Sequence, residues 1–210
     1  MKYSQQIINV FKDLKTIAKK FPGRLLDALD CFNQNQFDCK MWLVDGLNQY
    51  PYHFKMKTKD SIDIAILGGW YGLMAKLLSD NFTLKPIRNI YSYDFDPYAG
   101  QLGRILFPSI EFVEQDVKDL KIGEKSFSIV INTSCEHMEQ QIIDNSISSA
   151  PENTLFVLQS NNYTEIQQHI NCVEDLDTFV NQYTDSLTNI RYYKKDMGKY
   201  TRFMILGVKK

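Results

Sequence analysis

Metal-binding residue types are sparse in this chain and badly spaced for the purpose. Its only histidines, His53, His137 and His169, lie far apart in sequence and form no H-E-x-x-H arrangement. The four cysteines, Cys31, Cys39, Cys135 and Cys172, include no C-x-x-C pair and have no histidine at zinc-ligand spacing. These absences argue against a disulfide framework and against a metal site, and the thiols read as free in a reducing compartment. An excess of either charge is also missing. With 24 Lys+Arg against 25 Asp+Glu there is no global electrostatic footprint for nucleic acid or for an anionic membrane. No apolar run is long enough to span a bilayer, and the polar residues 1–6 contain no apolar core of signal-peptide length. The expectation is a soluble, cytoplasmic protein without nucleic-acid or membrane partners. Repeats and low-complexity tracts are lacking as well.

What is present suffices for one domain with a buried core: 210 residues, 44% of them hydrophobic. From about residue 4 to about residue 50 apolar side chains recur at helical spacing. Ile7, Ile8, Phe11, Leu14, Ile17 and Ala18 make one stripe, and Leu25, Leu26, Ala28, Leu29 and Phe32 another, so two or three amphipathic helices are predicted with a break at Pro22-Gly23. The polar stretch 55–60 reads as a linker. From Ser61 onward short β-branched runs at 62–67, 90–93, 110–113, 127–131 and 154–158 alternate with helical stretches at 72–78, 97–107, 139–147 and 173–183. That alternation implies right-handed βαβ units and a parallel sheet. Two closing runs, 190–194 and 202–208, suit a hairpin turning through 195–199. Arg191, Lys194, Lys195, Lys199 and Arg202 cluster there and read as a solvated sheet edge guarded by charge.

The most informative segment is 61–72, where the apolar run Ile-Asp-Ile-Ala-Ile-Leu enters Gly68-Gly69-Trp70-Tyr71-Gly72 and then a helix-forming stretch. Glycines at such a turn let the chain bend sharply and expose peptide N–H groups to a ligand, though they also serve geometry alone. Asp94 ends the second predicted strand, where a carboxylate can accept from both hydroxyls of a ribose. Helix capping does not account for it, because Asp96 before Pro97 already has the form of an N-cap followed by proline at the first helical position. The fourth strand opens into Asn132, Ser134, Glu136 and His137, a polar succession at the ligand-binding edge of an open sheet. Capping or orienting the next helix is the ordinary alternative for Glu136 and His137.

Taken in order, a strand, a glycine loop, a helix, an acidic residue closing the second strand, another after the third, and a terminal hairpin resemble the class I S-adenosylmethionine-dependent methyltransferases. The likeness covers residues 61–210. It implies a Rossmann-like α/β fold with a mostly parallel seven-stranded sheet and a C-terminal β-hairpin. Residues 1–60 would then be an N-terminal helical lid on a cofactor-binding domain at 61–210. The implied cofactor is S-adenosyl-L-methionine, with Gly68, Gly69, Trp70 and Gly72 around its methionine part, Asp94 on the ribose, and Asp116 with the backbone N–H of Val117 at the adenine. Ile66 stands where the family has an acidic residue and Trp70 where it has the middle glycine, so the methionine end must be held differently or more weakly.

Many small-molecule methyltransferases of this kind carry a Glu-His pair at the position of Glu136 and His137. These two and Asn132 are the expected catalytic residues, and Ser134, Asn161, Asn162 and Tyr163 the expected contacts to a small-molecule substrate. Cys135 follows Ser134 rather than the proline that a pyrimidine-C5 nucleophile would need, so it reads as a packed small side chain. No Asn/Asp-Pro-Pro-Tyr motif follows the fourth strand, which argues against adenine or cytosine N-methylation. Aminopropyl or aminocarboxypropyl transfer from the same sulfonium, and a non-catalytic cofactor-binding module, are the alternative functions. A nicotinamide-binding domain fits less well, since Gly-Gly-Trp-Tyr-Gly does not match G-x-G-x-x-G.

Overall fold

The computed structural model describes residues 2–51 and 60–210. His53 and all but the last residue of the linker expected at 55–60 therefore lie outside the described residues. The N-terminal periodicity resolves into α1 (Lys2–Lys20), α2 (Leu25–Asp30) and α3 (Gln34–Asn48), with a 3-10 turn at Pro22–Arg24 separating the first two. Proline at the start of that turn breaks α1, and Asn33 starts α3 by accepting from the Gln36 N–H at 2.9 Å.

The remainder alternates as its pattern predicts: β1 (Ile62–Leu67), α4 (Leu73–Asn81), β2 (Ile87–Asp94), α5 (Pro97–Leu106), β3 (Glu111–Glu114), β4 (Ile129–Asn132), α6 (Gln140–Ser149), β5 (Leu155–Asn161), α7 (Leu176–Asn181), β6 (Leu187–Asp196) and β7 (Thr201–Lys209). Helix α7 starts at Leu176 rather than near Val173, because the Asp175 carboxylate accepts from the Thr178 N–H at 2.7 Å and fixes the first turn there. Among the described residues the strands form one seven-stranded sheet in the order β3-β2-β1-β4-β5-β7-β6. All neighbours are parallel except β7, which runs antiparallel to β5 and to β6. The protein thus has the Rossmann-like, mostly parallel sheet and terminal hairpin.

Central strands β4 and β5 are buried along their whole length, which is why they read as continuous apolar runs rather than alternating ones. Successive side chains still point to opposite faces. Ile62, Ile64, Ile66, Ile129 and Ile131 join one core, and Ala65, Leu67, Val130, Phe156 and Leu158 the other. The N-terminal helices share the first of these cores: Ile17, Ala28, Leu43, Val44 and Leu47 pack in one cluster with Met74, Leu77 and Leu78 of α4 and with the sheet.

Connections from β1 lead outward to β2 and β3 on one side, whereas β4 and β5 lie on the other, so the strand order reverses between β1 and β4. Ligands of open α/β sheets bind in the crevice at such a switch point, beyond the carboxyl ends of the strands. Register sharpens the placement. Leu67 pairs with Tyr93 on one side and with Asn132 on the other, so the loops after β1, β2 and β4 leave the sheet side by side.

Candidate functional site

The loop after β1 is built by backbone hydrogen bonds and by the absence of two side chains. The Gly69 N–H donates to the Tyr93 carbonyl at 2.9 Å, and the Gly72 N–H to the Gly69 carbonyl at 3.0 Å. A Cβ on Gly69 would sit 2.0 Å from Ser92 Oγ, and one on Gly72 would sit 2.6 Å from Phe112 Cζ. Gly72 is needed for packing and does not line the cavity beyond the loop, which corrects its expected position beside the cofactor. Gly68, Gly69 and Trp70 do line it. Trp70 has φ 48°, in the left-handed region that costs a bulky residue about 1–3 kcal/mol and that persists where the surroundings over-determine it. Its ring stacks on Tyr71 with centroids 5.1 Å apart, and its backbone N–H donates to Asp94.

Asp94 Oδ2 accepts from the Trp70 N–H at 2.8 Å and Oδ1 from the Asp96 N–H at 3.0 Å. Burial pushes its pKa above the ordinary carboxylate value, while these backbone donors act in the opposite direction. Each carboxylate oxygen takes two hydrogen bonds, so capacity remains for a pair of hydroxyls from the cavity. Capping falls to Asp96, which accepts from the Tyr98 N–H at 2.9 Å and pairs with Arg24 at 2.9 Å. Asp116 lines the cavity together with Val117 and caps the 3-10 turn Val117–Asp119 by accepting from the Lys118 N–H at 3.0 Å. That backbone bond, reinforced by the Lys118 ammonium, holds its pKa below the usual value.

Opposite these residues, the segment after β4 forms the polar wall. Asn132 is buried and does not line the cavity: its side-chain carbonyl oxygen accepts from the Ser134 N–H at 2.8 Å, and its amide contacts Met138 Sδ at 3.2 Å. It shapes the loop, contrary to the expectation that it faces the reacting centre. Ser134 lines the cavity, and Cys135 is fully buried, its thiol pKa raised far beyond the nucleophilic range. Glu136 is only 3% exposed, yet it carries a full hydrogen-bonding set on one oxygen alone. Its Oε1 accepts from Asn161 Nδ2 at 2.7 Å and from the Arg202 guanidinium at 3.0 Å, whereas Oε2 has no partner among the described residues. His137 Nδ1 lies 3.2 Å from the Gln168 carbonyl, which can only accept, so Nδ1 carries the proton and Nε2 the free lone pair. His137 is exposed at its outer edge, and desolvation of the ring at the cavity wall, opposed by the Glu136 charge, moves its pKa below the ordinary imidazole value.

The expected substrate residues divide. Ser134 reaches the cavity, but Asn161 is consumed by Glu136 and by the Tyr163 N–H at 2.8 Å, and Asn162 accepts from the Thr201 N–H at 2.8 Å. Tyr163 stacks on Tyr200 at 5.3 Å. None of these three lines the cavity, because β5 carries them past the end of β4 to the hairpin side of the sheet.

Two important residues escape the sequence reading. Arg202 is no solvated edge charge: β7 buries it against Glu136, Gln159 and the Thr133 carbonyl. Lys40 of α3 lines the cavity with Gln36 and Cys31, and burial, aided by the Arg202 charge, lowers its pKa to about 8. Its signal was its position on the stripe Gln36, Lys40, Leu43, Leu47, where a helix otherwise turns apolar side chains inward. The three sides together enclose a cavity of about 700 Å³, large enough for a nucleoside-sized ligand and a second small molecule.

No protein-family model and no curated protein matches the sequence. Solved structures do match. The plantazolicin methyltransferase BpumL in complex with SAH aligns with a TM-score of 0.65 at 10% identity, over 100% of this chain and 99% of that one. The N-methyltransferase NodS from Bradyrhizobium japonicum WM9 in complex with S-adenosyl-L-homocysteine aligns at 0.63 and 13% identity, over 96% and 98% of the two chains. A chain from the complex between the Haloferax volcanii Trm112 methyltransferase activator and the putative methyltransferase aligns at 0.58 and 15% identity, over 84% and 96%. At these identities the likeness concerns architecture: this chain has the class I methyltransferase fold.

Proposed function

We propose that the protein is an S-adenosyl-L-methionine-dependent methyltransferase acting on a small molecule. The observation that carries this reading is the Asp94 carboxylate. It ends β2 at the switch point, half-buried at the cavity wall and tied to the glycine loop, where a ribose diol would need its acceptor. Asp116 and the Val117 N–H stand where an adenine would be read, and Gly68, Gly69 and Trp70 would flank the methionine part. When bound, the cofactor supplies an electrophilic methyl group on a sulfonium.

Methyl transfer needs alignment more than covalent help from the protein. The polar wall of Ser134, Glu136 and His137 would orient the acceptor, with His137 Nε2 or Glu136 Oε2 taking a proton from it. Residues of α3 would close the opposite side, so that the N-terminal segment acts as a lid. The departures at Ile66 and Trp70 leave aminopropyl or aminocarboxypropyl transfer as the second reading, which product mass separates from methylation.

S-adenosylhomocysteine is expected to raise the melting temperature, since a ligand that binds only the folded state stabilises it by mass action. Asp94→Ala should weaken its binding about 10- to 100-fold in calorimetry, the effect of removing a charged hydrogen-bond acceptor. An unchanged melting temperature at saturating ligand would overturn the proposal.

A further inference from the structure

The fold undoes the sequence separation of two histidines. His137 follows β4 and His169 lies in the loop after β5, yet their rings meet edge to face with centroids 4.6 Å apart. Glu136 stands beside them, and one donor atom from each of the three residues falls within 4.8 Å of the others. Among the described residues this is the one such cluster of three histidine, cysteine or acidic side chains.

Each member is oriented by a second contact. His137 Nδ1 faces the Gln168 carbonyl at 3.2 Å and His169 Nδ1 the Tyr163 carbonyl at 2.6 Å. A carbonyl oxygen only accepts, so in both rings the proton sits on Nδ1 and the Nε2 lone pair is available. In Glu136 the Oε1 atom is engaged by Asn161 and Arg202, while the buried Oε2 has no partner among the described residues. Backbone carbonyls behind imidazoles and hydrogen bonds behind a carboxylate are what fixes ligands around a metal ion. Arg202 does not fill the place of the ion, because its hydrogen bonds go to Glu136 Oε1, Gln159 Oε1 and the Thr133 carbonyl.

We propose that Glu136 Oε2 and the Nε2 atoms of His137 and His169 bind a divalent transition-metal ion of the zinc type at the wall of the cavity. Two imidazoles and one carboxylate suit such an ion, and three protein ligands leave a fourth position open. Glu136 and His137 both line the cavity, so that position faces the space where a substrate heteroatom or a water would sit. Metal bonds of 2.0–2.2 Å hold tetrahedral ligand atoms about 3.4 Å apart, so binding draws the cluster inward by side-chain rotation of the two loop histidines. His137 Nε2 and Glu136 Oε2 would both be ligands with the metal in place, so neither would then serve as the proton acceptor. The site is assigned independently of methyl transfer.

Zinc alone is the probe. Chelator-treated protein titrated with zinc chloride should bind one equivalent, and X-ray absorption should show nitrogen and oxygen neighbours near 2.0–2.1 Å without sulfur. H169A, in a loop outside the core, and H137A should each weaken binding about 10²-fold or more, since even outer partners of a ligand are worth 10- to 100-fold. C172S should bind as the parent does. Far-ultraviolet circular dichroism and the S-adenosylhomocysteine shift of H169A report that its fold is intact. Absence of stoichiometric zinc, binding unaffected by both histidine replacements, or a shell of sulfur ligands would each overturn the assignment.

Discussion

At the residue scale, Lys40 is a cation placed against its own charge preference and therefore asks for a purpose. Facing it are Arg202 from β7, Glu136 from the segment after β4, Cys31 after α2 and Cys39 of its own helix, with Gln36 as its hydrogen-bond partner. Burial dominates and lowers its pKa from the ordinary 10.5 to about 8. The sign follows from linkage. Between about pH 8 and 10.5 the unfolded chain binds more protons than the folded one, so stability gained from this group rises with pH across that window. Below pH 8 the buried ammonium imposes its full penalty. Lys40→Met should accordingly stabilise the ligand-free protein at pH 7 by about 1–3 kcal/mol, with the advantage fading toward pH 10.5, as thermal denaturation at several pH values would show. Binding of S-adenosylhomocysteine or turnover should fall in the same variant. A lower melting temperature at pH 7 would mean that Lys40 is held by a favourable partner instead.

The glycine loop after β1 is the element on which the site depends, and its glycines have different physical duties. Gly68 and Gly72 occupy the left-handed region with φ 63° and 89°, whereas Gly69 is excluded from bearing a side chain by Ser92, whose Oγ would lie 2.0 Å and whose Cβ 3.2 Å from an added Cβ. Gly69→Ala should therefore destabilise the protein by about 1–3 kcal/mol through overpacking. The buried Ser92 hydroxyl has no hydrogen-bond partner among the described residues, so Ser92→Ala removes the 2.0 Å collision without leaving an unsatisfied group and leaves only the milder 3.2 Å contact with its Cβ. Urea denaturation of the two single variants and the double should show a coupling of 0.5 kcal/mol or more in favour of the pair. Additive effects would place the strain of Gly69→Ala elsewhere. The element also shows where sequence reading stops. Gly-Gly-Trp-Tyr-Gly announced a turn into a helix, but only the neighbours Ser92 and Phe112 reveal that Gly69 and Gly72 have no room for a side chain.

For the whole molecule, the N-terminal helices are bound into the fold by more than their place along the chain. Ile17, Ala28, Leu43, Val44 and Leu47 are completely buried in the core that also holds β1 and α4. Removing residues 1–50 should thus cost cooperative folding itself, where loss of a detachable lid would cost substrate selectivity alone. Circular dichroism melting and size-exclusion chromatography of the truncated chain check this. A truncated protein that melts cooperatively and still binds S-adenosylhomocysteine would restore the reading of a detachable lid.

Alternation of β-branched and helical runs, the Asp96 cap and the glycine turn determined the mostly parallel sheet, the order of elements along the chain and the position of Asp94 from the sequence alone. These are local properties, legible because strand and helix periods, caps and turns depend on residues within a few positions of one another. Only the tertiary structure decided which polar residues converge. It sent Asn161, Asn162 and Tyr163 away from the cavity along β5, buried Arg202 against Glu136, turned Lys40 inward and brought His169 against His137. Such pairings depend on register and on side-chain direction across strands distant in sequence, where a shift of one residue exchanges the faces of the sheet.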